Sequence, residues 1–426
     1  MHDPQELLRP DAQATQRLST RRYALDTNTL EKLVQRRTEA IKNKDSLRAK
    51  LNSVSRKLAQ QRDARDQHDL DTAKELKSQV QPADEAQRIA DSDLHSFLLA
   101  VPNIPADEAP DGGPEDQPVE IRRWGRPPTF DFEPRDHVDL GTSAGILDLR
   151  RASKLSGSRF AVFRGAGAML ERALASFLLD LHTKEHHYVE HSVPYLVTPE
   201  TMTGTGQLPK FADDLFATQV ADHRLYLIPT AEVPLVNLYS KETLSEDELP
   251  LSLTAHTACF RSEAGSYGRD TRGVIRLHQF AKVELVRICR LQDAEEQLQL
   301  LLSHAEECLQ RLGLHYRVTD LRAGDLGFSA RRTYDLEVWL PSQQAFREIS
   351  SVSDCGDFQG RRAGIRVKRD SSKEYTATLN GSGLPIGRTV VALIEQNQHS
   401  DGSVTLPPAL TPYTGFHTIN PDGTTR

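Results

Sequence analysis

A chain of 426 residues, 38% of them apolar, is long enough for two or three domains and can bury a large core. It contains no run of about 18 apolar residues, and its first segment, MHDPQELLRPDAQ, lacks the apolar stretch of a secretory leader, so a cytoplasmic protein without membrane attachment is expected. The net charge of −7 argues against polyanion binding over the whole surface, and Cys259, Cys289, Cys308 and Cys355, widely spaced with no CxxC pair, suggest reduced thiols, neither a disulfide framework nor a zinc site.

From Leu30 to about Ala100 there is no glycine, and the only proline is Pro82, which is the composition of long helices. Leu47, Leu51, Val54 and Leu58, then Ala73, Leu76, Val80, Ala83, Ala90, Leu94, Phe97 and Val101, fall at the three-four spacing of a coiled-coil seam, with Gln87 as a polar slot. The polar stretch 60–71 lies midway, which predicts an antiparallel hairpin turning there. Residues 30–65 carry 11 Lys/Arg against 4 Asp/Glu, and residues 66–100 carry 3 against 8, so the two helices attract each other. A basic outer face is left over, which fits either the solvated side of any coiled coil or an RNA contact. Pro82 lies within the returning helix and should remove a hydrogen bond and bend the arm.

Residues 102–118, PNIPADEAPDGGPEDQP, suit neither a helix nor a central strand. The division expected is a helical-arm domain at 1–105, a linker at 106–118 and a second domain at 119–426. In that domain strand-like alternation interleaves with amphipathic helices, which predicts an α+β fold around a mainly antiparallel sheet. One helix is marked by Met169, Leu170, Ala173, Leu174, Phe177, Leu178 and Leu181 on one face. A strand over Val189 to Val197 follows, and Pro194 within it points to a sheet edge or a subunit boundary.

The densest chemistry lies between Ala258 and Val286. Two strands flank a charged, glycine-rich loop, AGSYGRDTRG. Period-2 alternation places Arg261 and Glu263 on one face of the first strand, and Arg276, His278, Phe280, Lys282 and Glu284 on one face of the second. If the faces coincide, one surface carries cations, carboxylates and an aromatic ring. Such a surface suits a polyanionic, ring-bearing ligand, or a cross-strand ladder of salt bridges on a wet sheet face.

Phe260-Arg261-Ser262-Glu263, the loop and the segment Arg276 to Glu284 closely resemble motif 2 of the class II aminoacyl-tRNA synthetases in its seryl form. RWGRPPTFDFEPRDHVDLG, KLSGSRF, GTGQLPKF, IPTAEVPL, TYDLEVW, REISSVS, DFQGRR and TLNGSGLPIGR resemble seryl-tRNA synthetase segments in the same order, over essentially the whole chain.

The resemblance implies a class II antiparallel-sheet catalytic domain behind an N-terminal helical hairpin, ATP-dependent activation of L-serine, and transfer to tRNA(Ser) through the arm, with tRNA(Sec) a further candidate. It implies a homodimer built on the 169–181 helix and the Pro194 strand. Arg261 would bridge the ATP α-phosphate and the serine carboxylate, with Ser262, Glu263, Arg276 and Phe280 around the nucleotide. Glu263 would take the adenine amino group and Phe280 the ring. Thr230-Ala231-Glu232 would clamp the ammonium, and Glu284, Asn380 and Ser382 would hold the rest of serine. Glu348-Ile349-Ser350-Ser351 would serve the nucleotide, with Glu348 and Ser351 on Mg2+. Strict alternation sends those two residues to opposite faces unless the strand bulges. Arg388, expected to open a helix, would face the γ-phosphate or the adenine. Ala281, Val352 and Pro385-Ile386 depart from the usual family residues without removing a proposed ligand. A specialised, inhibitor-resistant duplicate and a catalytically silent RNA-binding relative are the alternatives.

Overall fold

The computed structural model describes the chain except residues 10–12, 61–65, 265–271 and 370–371. It comprises two compact units, Met1–Pro102 and Asn103–Arg426.

The first unit is dominated by two 34-residue helices, Thr27–Gln60 and Gln67–Ala100. The first starts ahead of the expected Leu30 because Asp26 caps it, accepting from the Thr29 amide at 2.9 Å. The second starts inside the polar stretch, where Asp66 accepts from the His68 amide at 3.0 Å. The 61–65 part of the expected turn lies outside the described residues. Arg36–Asp93, Arg37–Asp91, Arg48–Asp84 and Lys57–Asp69 join the helices, the cation always on the first and the carboxylate on the second. Exposed pairs like these add little stability, so their main effect is to favour one register. Leu47, Leu51, Val54 and Leu58 are only half-buried, because two helices cannot enclose their own seam. Near the end of the second helix Ala90, Leu94 and Leu98 are buried, and Phe97 is only half-buried. The helix runs on through Pro82, which has no N–H to offer the Ser78 carbonyl.

The second unit is built on an eight-stranded sheet. In spatial order its strands are Val119–Trp124, Tyr316–Asp320, Arg332–Leu340, Ala345–Asp354, Ala377–Pro385, Gln279–Cys289, Leu251–Phe260 and Val189–Glu190. Only the last joins its neighbour in parallel. The expected 189–197 strand is split: Val189–Glu190 forms the sheet edge, and Leu196–Val197 joins a separate three-stranded sheet. Pro194, unable to donate to a ladder, lies in the gap.

Alternation along Gln279–Cys289 decides what each face does. Val283, Leu285 and Cys289 enter the main core, shared with Leu298, Leu301 and Leu302 of the helix Ala294–Arg311. On the opposite face Val286 and Ile288 pack with Leu235 and Val236 of the helix Glu232–Asn237. Phe280, Lys282 and Glu284 precede them on that face. The helix after Pro385 spans Ile386–Gln396, so it begins two residues before Arg388. Residues 103–118 lie along the second unit: the Ala106 amide donates to the Arg331 carbonyl, and the Pro110 carbonyl accepts from the Ala323 amide, both at 2.8 Å. All four cysteines are free and buried. Among the described residues no helix is long and apolar enough to cross a membrane.

Candidate active site

The two motif-bearing strands pair antiparallel, with Cys259 opposite Phe280, Thr257 opposite Lys282 and Ala255 opposite Glu284. Directly opposed residues share a face, so the two faces coincide. Ser382 in turn lies opposite Glu284. These strands floor a cavity of about 250 Å3 lined by Thr230, Glu232, Arg261, Arg276, Phe280, Lys282, Glu348, Ser351, Asn380, Ser382 and Arg388, among others.

Most of the residues singled out from sequence therefore meet in one place. His278 does not line it. Its ring nitrogen lies 3.0 Å from the Arg261 carbonyl, and its ring packs near Phe160 and Phe216. Ser262 also turns aside, donating to the Asp213 carbonyl at 3.0 Å. The strand ends at Phe260, and Glu263 adopts a left-handed φ of 54°, so the alternation does not extend across these residues. Ala231 and Ser350 are buried behind the surface, Ser350 donating to the Ser382 carbonyl at 2.8 Å.

Arg261 is held from two sides. Its Nε donates to the Pro229 carbonyl at 3.2 Å, and its guanidinium carbon lies 5.2 Å from the centre of the Phe280 ring. Arg276 pairs with Glu263. Arg388 donates to the Ile275 carbonyl at 3.0 Å, and to the Glu348 carbonyl and carboxylate at 2.9 and 3.2 Å. Three guanidinium groups thus face one cavity, an arrangement suited to phosphate and carboxylate oxygens.

Two further carboxylates, Glu232 and Glu284, stand on or behind this surface. Glu284 does not line the cavity: it is fully buried and pairs with Lys282, which does. Burial pushes the Glu232 carboxyl up to about 7, although Gln359 donates to it at 2.6 Å. Gln359 is fixed by a hydrogen bond from Thr378 at 2.6 Å and by donating to the Thr205 carbonyl at 3.1 Å. Neither Lys282 nor Gln359 has a role that the sequence motifs assign. Lys282 is visible in the alternation, and Gln359 in the DFQGRR segment.

The strand Ala345–Asp354 contains the required bulge. Its partner register passes from Leu336 opposite Ser350 to Glu337 opposite Glu348, which leaves Ile349 as the extra residue. Glu348 and Ser351 consequently both line the cavity. The Ser351 hydroxyl donates to Asp335, a carboxyl raised well above its usual range by burial and by the nearby charge of Glu348. Glu348 is held below its usual range, chiefly by Arg388. The Glu348 carboxylate and the Ser351 hydroxyl, hard oxygen donors beside three arginines, fit a divalent cation arriving with a polyphosphate.

Antiparallel strands carrying these side chains on one face, closed by the helix after Pro385, are the core of a class II aminoacyl-tRNA synthetase. Residues 216–397 match the model for the tRNA synthetase class II core domain (G, H, P, S and T), and residues 1–105 match the seryl-tRNA synthetase N-terminal domain. The chain is 59% identical to Serine--tRNA ligase 2 of Streptomyces avermitilis, covering 100% of both chains. It is 50% identical to Serine--tRNA ligase of Syntrophotalea carbinolica, covering 95% of this chain and 96% of the other. A solved structure of seryl-tRNA synthetase from Pyrococcus horikoshii complexed with ATP superposes with a TM-score of 0.89 at 32% identity, covering 99% of this chain and 100% of that one. The chain belongs to the seryl-tRNA synthetase family.

Proposed function

We propose that this cavity joins L-serine to ATP and that the resulting seryl-adenylate is passed to tRNA(Ser), so that the chain acts as a serine–tRNA ligase. The observation carrying this reading is the convergence of Arg261, Arg276 and Arg388 on a cavity that is also lined by buried Glu232 and by Lys282, with Glu284 paired to Lys282 behind the lining. Arg261 is suited to neutralise the α-phosphate while holding the serine carboxylate against it. The carboxylate oxygen bonds to the α-phosphorus as pyrophosphate leaves, so no protein nucleophile is needed. Phe280 offers a ring for the adenine, and Glu263, fixed by Arg276, an acceptor for its amino group. Mg2+ is part of the substrate in this reading, with Glu348 and Ser351 as its protein-side oxygens.

Ionised Glu232 is suited to the serine ammonium. Glu284, Asn380 and Ser382 surround the remaining part of the amino acid. A site built to satisfy a hydroxyl rejects alanine because buried polar atoms are then left unpaired.

Residues 1–105 are assigned to tRNA, 106–118 to a linker and 119–426 to catalysis. The exposed Lys32, Lys42, Lys50 and Arg56 on the first arm helix support an RNA contact. A homodimer through the 166–197 region is supported by the exposure of Met169, Val189, Tyr195 and Leu196. The reading places the enzyme in the cytoplasm.

Arg261→Ala should abolish serine-dependent ATP–pyrophosphate exchange, whereas deletion of residues 30–100 should spare exchange and impair charging. Normal charging by the truncated protein would refute the arm assignment. A second reading, a duplicate with a specialised role, is favoured by the name Serine--tRNA ligase 2 borne by the S. avermitilis relative. It predicts unimpaired exchange in the presence of a seryl-adenylate analogue that stops a housekeeping enzyme, and full inhibition excludes it.

A further inference from the structure

None of the residues of RWGRPPTFDFEPRDHVDLG lines the cavity, yet its His137 is buried against two segments that do. His137 opens the helix His137–Ser143, whose start is fixed by Asp136 accepting from the Val138 and Asp139 amides at 2.9 and 2.8 Å. Just before it, the Arg135 amide donates to the Gln398 side-chain oxygen, and the Gln398 side-chain nitrogen donates back to the Arg135 carbonyl, both at 2.9 Å. The His137 ring nitrogen Nδ1 lies 2.8 Å from Glu395. Glu395 stands on the helix Ile386–Gln396, about two turns beyond Arg388.

The neighbours of the ring set the role of each nitrogen. Glu395 is completely buried, and its oxygens also receive the His137 amide at 3.1 Å, the Ser342 amide at 3.3 Å and the Ser342 hydroxyl at 2.6 Å. It accepts throughout, so Nδ1 donates to it and Nε2 is left as an acceptor. Nε2 faces the Val274 amide at 3.3 Å. Gly273 has a φ of 91°, and a Cβ there would lie 2.2 Å from Nε2, so backbone and ring meet with no room for a side chain. Val274 is buried in the main core, and the neighbouring Ile275 carbonyl accepts from Arg388 Nε at 3.0 Å. Arg272 adds bridges to Asp136 and Asp139, but its side chain is mostly exposed and such pairs contribute little. The buried bond from Val274 to His137 is the stronger restraint on this segment.

We propose that His137 is a positioning residue for ATP: its ring, bonded at one nitrogen to Glu395 and at the other to the Val274 amide, sets the Ile275 carbonyl and through it the Arg388 guanidinium. The inference rests on the ligase reading above, in which Arg388 faces ATP, and it assigns a role to a residue outside the cavity. The ring ties the segment after the glycine-rich loop to the helix that carries Arg388, so the two supports of that guanidinium keep one spacing. Arginine donors point in fixed directions, and a displacement of about 1 Å is enough to misalign them with a phosphate.

The test compares His137→Asn, His137→Gln and His137→Phe in the full-length protein by serine-dependent exchange, with ATP and serine varied separately. Asparagine places its amide near the position of Nδ1 and reaches only Glu395. Glutamine places its oxygen near the position of Nε2 and can accept from Val274. His137→Asn and His137→Phe should raise the ATP KM about tenfold, the scale for a buried amide left without its acceptor, and leave the serine KM within about twofold. His137→Gln should keep the ATP KM within about threefold of wild type. Equilibrium titration with ATP should follow the same order, and in an Arg388→Ala background His137→Asn should weaken ATP by less than about twofold further. The proposal is overturned if Asn and Gln raise the ATP KM equally, if the serine KM rises with it, or if the losses from His137→Asn and Arg388→Ala multiply. Thermal melts of each variant identify a merely structural role, in which both KM values follow the melting temperature. Absence of serine exchange in the wild type refutes the ligase reading itself, and the ATP titrations then still decide the role of His137.

Discussion

Glu232 links the stability of the empty protein to its affinity for serine. Its side chain is buried, and burial raises its carboxyl from an ordinary 4.5 to about 7, against the hydrogen bond from Gln359 and the charges of Lys282 and Arg261. A tenfold change in acid strength corresponds to about 1.36 kcal/mol, so ionised Glu232 opposes folding by roughly 3 kcal/mol above pH 7. The sign follows from a raised acid: stability is fully present below the unfolded value and is lost as pH rises through about 4.5 to about 7. Glu232→Gln keeps an oxygen for Gln359 and removes the charge, and should stabilise the ligand-free protein by about 3 kcal/mol at pH 8 and only by about 1 kcal/mol at pH 5. Serine binding shows the other side of the same linkage. Below pH 7 a proton must leave Glu232 before it can pair with the ammonium, so the serine KM should rise about tenfold per pH unit from 7 to 5.5 and flatten above. Glu232→Gln should bind serine weakly at every pH. Thermal melts at both pH values and serine titrations of ATP–pyrophosphate exchange measure the two effects. A flat serine KM across this range, or a variant no more stable at pH 8 than at pH 5, would show that the site does not use Glu232 as an anion.

Lys282→Met should destabilise the protein by about 3–5 kcal/mol, because Glu284 is then a buried charge without a partner. Lys282→Met with Glu284→Leu should recover much of that loss in denaturant unfolding while exchange remains absent. Arg388→Ala removes the donor to Glu348 and the Ile275 carbonyl and should raise the ATP KM more than the serine KM, with Arg388→Lys recovering only part of the effect. Pro82→Ala supplies the missing N–H within an otherwise continuous helix and should stabilise the isolated 1–102 unit by up to about 3 kcal/mol in thermal unfolding. Unchanged arm shape in scattering and unchanged tRNA affinity in that variant would remove any role for a bend at Pro82.

The arm is legible in the sequence because its signals are local: a glycine-free stretch, a three-four apolar rhythm and a charge reversal between two halves. Its true start escapes an apolar pattern, since Asp26 and Thr29 form the start signal and neither is apolar. The site face is legible as far as strict alternation holds, which is what places Phe280, Lys282 and Glu284 together. Alternation misplaces His278 because the paired strands stop at Phe260 and start at Gln279, so His278 lies outside the ladder and its ring turns to the Arg261 carbonyl. Glu348 and Ser351 share a cavity only because Ile349 is an inserted residue relative to the strand Arg332–Leu340, a property of the pairing between two strands that neither segment displays alone. Asp335 and Gln359 reach the site from other elements, so only the assembled sheet relates them to Ser351 and Glu232. The chemical identity of the ligands comes from the resemblance and not from the spacing of charges, which equally describes a salt-bridged sheet face.

Serine-dependent ATP–pyrophosphate exchange, measured side by side with alanine and threonine at pH 8, addresses the central claim most directly. Exchange with serine should exceed that with alanine by about four orders of magnitude, as expected when a site satisfied by a hydroxyl meets a substrate lacking it. Equal exchange with alanine or threonine, or none with serine, would contradict the account.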